Sequence, residues 1–114
     1  MSYNKELSEI SVKGRADPSL LSPVEATMFT HHVSGVMMMW FNTYLQFQGG
    51  LIEEEFWKTC ERDIVGFFKS PGVQTVWEQV HPTFTPDFVE LVNSVRVQDE
   101  YQSADFFPTS LVRN

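Results

Sequence analysis

Between Ala26 and Phe47 the residues Ala26, Phe29, Val33, Val36, Met37, Trp40, Tyr44 and Phe47 recur every three or four positions. They therefore share one helical face. Phe41, Leu45 and Met38 widen that stripe, while Met28 and Met39 fall nearly opposite it. A helix apolar most of the way round sits centrally in a fold or in an interface. Its start is marked by Ser22-Pro23-Val24-Glu25. The Ser22 hydroxyl and the Glu25 carboxylate can each take the other's backbone N–H, and proline brings no N–H to strand in the first turn. Gly49-Gly50 marks the end, so the pattern predicts a helix from Pro23 to Gln48, about 39 Å long.

The next stretch predicts a helix from Glu53 to Lys69, with Phe56, Trp57, Cys60, Ile64, Phe67 and Phe68 on one third of its circumference. The Gly49-Gly50-Leu51-Ile52 link is short, so this helix folds back antiparallel on the one before. Two shorter helices follow, Pro71 to Val80 and Pro86 to Val97, with apolar sets Val73, Val76, Trp77, Val80 and Phe88, Leu91, Val92, Val95. Ser70-Pro71 and Thr85-Pro86 repeat the hydroxyl–proline start, with Ser70 and Thr85 as N-caps. The two segments are read as capped helices obeying one rule rather than as a duplication, because helical repeats are longer and come in arrays. Ahead of these, Ser2 to Lys13 forms a short helix with Leu7 and Ile10 on one side and Gly14 as its stop. Arg15 to Leu21 reads as a loop. The expectation is an all-α, four- to five-helix bundle-like domain around a long central helix hairpin. Residues 1–21 are a short helix and loop, 22–97 the helical core and 98–114 a tail, where Phe106-Phe107-Pro108 docks or stays free.

Composition agrees with one compact unit. A chain of 114 residues is one domain, long enough to bury roughly 65% of its unfolded surface. Three Trp and ten Phe supply large buried areas for a small core. The formal net charge of −7 disfavours nucleic-acid phosphate and anionic lipid as partners. The longest apolar run, Val36 to Phe41, is far short of the roughly 20 residues of a membrane span. No signal peptide is read at Met1, and a lone cysteine fits a reducing compartment, so a cytoplasmic location is expected.

Candidate chemistry is sparse. His31 and His32 are adjacent and point about 100° apart on a helix, so they lack the spacing of a zinc site. His81, before Pro82, belongs to a helix end. Cys60 lies in an apolar arc, where burial raises a thiol's pKa. Glu53, Glu54 and Glu55 sit in a first helical turn, where the dipole favours negative charge. Lys58, Arg62 and Lys69 make a basic stripe, and Ser70-Pro71-Gly72 resembles the turn of a helix-turn-helix. The segment after it, Gly72 to Val80, offers Gln74 and Gln79 beside Glu78 and no basic residue.

The stretch Leu21 to Val95 resembles an uncharacterised bacterial helical family. The residues that carry this are Leu21-Ser22-Pro23-Val24-Glu25, Asn42-Thr43-Tyr44-Leu45-Gln46-Phe47 with Gly50-Leu51-Ile52, Glu53-Glu54-Glu55-Phe56-Trp57, Ser70-Pro71-Gly72, Trp77 and Phe84-Thr85-Pro86-Asp87-Phe88. The resemblance implies an all-helical domain of unknown function. Members often carry a membrane helix ahead of it, which this sequence does not contain, and tend to place aspartate where Glu53 stands.

Taken together, the sequence points to a non-catalytic helical interaction or regulatory module, self-association included. Met28, Met37, Met39, Trp40, Tyr44 and Trp57 are its candidate interface or ligand residues. The alternative is a small apolar-ligand domain with Met37, Trp40, Tyr44 and Trp57 around a cavity. The second alternative is helix-turn-helix-like nucleic-acid binding. No catalytic residue, cofactor or metal ligand is expected.

Overall fold

The computed structural model describes residues 3–98. The expected start at Ser2 and the tail beyond Gln98, Phe106-Phe107-Pro108 included, lie outside the described residues. Five α-helices follow one another: α1 (Tyr3–Ala16), α2 (Pro23–Gln48), α3 (Glu54–Phe67), α4 (Pro71–Val80) and α5 (Pro86–Val95). Short 3-10 turns at Pro18–Leu20 and His81–Thr83 join α1 to α2 and α4 to α5. No strand occurs among the described residues, and the all-α fold class holds.

The start of α2 is the expected reciprocal cap. The Glu25 N–H donates to Ser22 Oγ at 3.2 Å and the Ser22 N–H to Glu25 Oε1 at 3.0 Å. Its end is a Schellman turn: the Leu51 N–H donates to the Gln46 carbonyl at 2.9 Å and the Gly50 N–H to Phe47 at 3.0 Å. Gly50 has φ +77°, a conformation glycine adopts without Cβ strain. Contacts then run backwards along the hairpin. Phe47 and Tyr44 meet Trp57, and Trp40 meets Asp63 and Phe67. Positions falling on α2 meet positions rising on α3, so the pair is antiparallel.

Several boundaries and caps differ from expectation. α1 does not stop at Gly14 but continues to Ala16, and Pro18–Leu20 is a 3-10 turn rather than loop. Gly14 serves helix crossing instead. A Cβ there would lie 2.6 Å from the Phe29 ring, and a Cβ on Gly72 would strike the Gly14 carbonyl oxygen. α1 and α4 thus cross backbone on backbone, and Ile10 of α1 joins the core. Residues 3–21 thus pack onto the other helices through Ile10 and Gly14. Ser70 and Thr85 occupy the N-cap positions of α4 and α5, but neither hydroxyl makes a capping bond. Proline at the first helical position already removes one orphan donor. Glu53 is the N-cap of α3 rather than its first residue, again with no side-chain cap bond. α3 ends at Phe67, not Lys69, and α5 at Val95, not Val97.

The core gathers rings from every quarter. Trp40, Trp77, Phe88, Met37 and Ile64 are among its fully covered side chains. Each tryptophan keeps its indole N–H bonded, as a buried donor requires. Trp40 donates to Asp63 at 2.9 Å, Trp57 to Glu61 at 2.9 Å and Trp77 to Asn93 at 3.0 Å. Phe56, expected on the α3 core arc, is instead 61% exposed, while Val65 is buried. It lies about 100° around the first turn from Trp57, off the seam that α2 covers.

Candidate functional site

The outer face of α2 is exposed at intervals along the helix and carries large apolar side chains at Val24, Met38, Met39 and Leu45. Val24, His31, Met38 and Leu45 stand seven residues apart, and all are exposed. Gly35, Asn42 and Gly49, also seven apart and exposed, interleave with them. The two series alternate by three and four positions, which is the a/d seam of a heptad. The core residues Phe29, Val33, Met37, Trp40 and Tyr44 lie on the other side. α2 is therefore a two-sided helix, one side filled by its own fold and one side bare. No Asp, Glu, Lys or Arg occurs between Ala26 and Ile52, in a chain that is 20% charged. The flanking rows share that neutrality: Thr27, Ser34, Phe41 and Gln48 on one side, His32, Met39 and Gln46 on the other.

The six candidate residues do not form one constellation. Met39 lies on this outer face, 55% exposed. Met28, expected nearly opposite the core, is half-buried and packs against it. Met37 and Trp40 are enclosed by the core at 0% and 1% exposure. Tyr44 and Trp57 are core residues whose edges reach a surface recess of about 270 Å³ between the end of α2, α3 and α5. Phe47, Glu54, Glu61 and Leu91 also line it. Met38 and Leu45, read from sequence as widening the core stripe, are about half exposed and belong to the outer seam. The seven-residue spacing of Val24, His31, Met38 and Leu45 was the signal that could have separated them from it.

Ionisable groups are engaged locally. The Tyr44 hydroxyl donates to Asp87 Oδ2 at 2.6 Å. That bond, with burial and the carboxylate charge, pushes the phenol up to about 12. The same bond leads the contacts that hold the Asp87 carboxyl below its usual value. Burial first, then the nearby Asp63 and Glu61 charges, pushes the Cys60 thiol up to about 12, so it is protonated at neutral pH. Lys13 pairs with Glu25 at 3.3 Å across α1 and α2. His81 Nε2 lies 3.9 Å from Glu78, beside the Trp77 ring. Among the described residues no three His, Cys, Asp or Glu side chains converge as a metal cluster.

The segment after Ser70-Pro71-Gly72 is committed inward. Val73, Val76 and Trp77 of α4 are buried, and the Gln74 amide donates back to the Phe68 carbonyl at 2.8 Å. Of the basic stripe, Lys58 sits near Glu54 at 3.9 Å and Arg62 is half-buried. Among the described residues no helix is long and apolar enough to cross a membrane. Comparison with known proteins finds no matching family model, no matching curated protein and no matching solved structure.

Proposed function

We propose that this chain is a non-catalytic helical interaction module whose contact surface is the outer face of α2. The observation that carries the reading is the exposed seam at 24, 31, 38 and 45, uncharged along its length. A helix side turned to water ordinarily carries charged and polar residues. Two methionines and a leucine in their place suit a partner surface, since methionine adapts to varied shapes. The close covering of Met37 and Trp40 favours this reading over a ligand cavity among the rings. The bond from the Gln74 amide back to the Phe68 carbonyl favours it over base recognition.

Site-specific photo-cross-linking tests it. A benzophenone amino acid at Met39, in the row flanking the seam, and at Glu90, on the exposed side of α5, is introduced into the full chain expressed in cells. The expected result is a discrete protein adduct from position 39 and none from position 90. Equal or absent labelling at the two positions overturns the reading.

A further inference from the structure

We infer that the partner seated on this face is a second copy of the same chain, docked α2 against α2 about a two-fold axis passing beside Asn42. The inference rests on the interaction reading above and names its occupant. Three observations carry it.

The first is charge. Each copy carries a net −7, so most encounters between copies bring carboxylates towards carboxylates. The outer face of α2 lies within the 27-residue stretch from Ala26 to Ile52, where no acidic residue occurs. Two copies meeting there keep their like charges apart.

The second is Asn42, an exposed amide in the last two turns of α2, between the exposed Met38 and Leu45 of the seam. Buried in a contact, it needs both an acceptor and a donor opposite it. In an isologous contact a residue beside the two-fold axis meets itself. A second Asn42 amide offers both groups, and a polar Asn at such a position fixes register and oligomer order.

The third is Gly35. A mid-helix glycine weakens a helix by about 1 kcal/mol relative to alanine. Among the described residues nothing lies within 4 Å of where its Cβ would be, so no packing among them asks for glycine. About two turns from Asn42 on the same seam, the missing side chain lets a second helix approach closely.

Sedimentation velocity on the full chain, with symmetric cross-linking, tests the inference. The wild-type chain is expected to sediment as a dimer at tens of micromolar. Asn42→Asp places two carboxylates across the axis and is expected to weaken association by about a hundredfold or more, with an unchanged helical circular-dichroism spectrum. In a Cys60→Ala background, Asn42→Cys is expected to give a covalent dimer on mild oxidation, and Glu90→Cys is not. A monomeric wild type overturns the inference, as does a dimer that survives Asn42→Asp and fails to cross-link from position 42. A monomer whose position 39 still labels a different protein overturns the second copy as occupant while leaving the interaction reading standing.

Discussion

At the scale of single residues, the large rings are set by polar handles. The three tryptophans and Tyr44 bury their rings and hand one N–H or O–H each to a carboxylate or amide near the surface. That the rings are core was legible from helical spacing. Their acceptors were not, because Asp63, Asn93 and Asp87 sit on other helices, and only packing brings them within 3 Å. Glu61 is the exception, four residues after Trp57 on the same face. The Tyr44–Asp87 bond carries a pH signature. Asp87 has a depressed folded pKa, so its contribution is present above the unfolded carboxyl value and is lost as pH falls through the folded one. Tyr44 is raised from 10.0 to about 12, so its contribution is present below 10 and is lost as pH climbs towards 12. Tyr44→Phe should therefore lower the urea midpoint most between about pH 5 and pH 9. The deficit should shrink at both extremes, and a pH-independent deficit would refute the coupling.

At the scale of elements, the sequence was most informative where cap and periodicity agreed. The α2 start and end and the span of α4 are as the pattern predicts, because local chemistry alone decides them. Prediction slipped where a residue serves a distant neighbour. Gly14 looked like a helix stop and Gly72 like turn material, yet Gly72 lets α4 touch the α1 backbone and Gly14 leaves room for the Phe29 ring of α2. Glycines in helices thus divide by surroundings rather than by sequence. Gly72→Ala should destabilise the fold by about 3 kcal/mol, since the new methyl meets backbone that cannot swing aside. Gly35→Ala, facing open space, should stabilise the isolated chain by about 0.5–1 kcal/mol. Urea unfolding at concentrations low enough to hold the monomer measures both, and equal effects at the two positions would contradict this division.

At the scale of the whole molecule, one core is served by all five helices, but unequally. α2 contributes five buried apolar side chains, whereas α1 contributes Ile10 to the buried set. A helix with so little buried area opens before the rest does. Amide exchange in α1 should accordingly run by partial opening, with protection well below that of α2. Matching protection in the two helices would instead mean a single cooperative unit. This imbalance was half legible: the apolar density of α2 is plain in the sequence, whereas the docking of α1 depends on two glycines fifty-eight positions apart. The outer seam of α2 is hard to read for a different reason: apolar residues all round the helix leave only the seven-residue spacing of Val24, His31, Met38 and Leu45 as a signal, and core positions share that spacing, so the packed fold is what separates the covered side from the exposed one.

The crossing of α1 over α4 works as a latch cut from main chain, with no adjustable part. Elsewhere in the core a methyl lost from one side chain can be made good by another. Here neither position tolerates a side chain, and the fit is also locked in rotation. Adding or removing a single residue between Ile10 and Gly14 would turn Ile10 about 100° away from its seat while leaving the latch engaged. The N-terminal helix is thus held to one length of lever between its hydrophobic foot and its hinge.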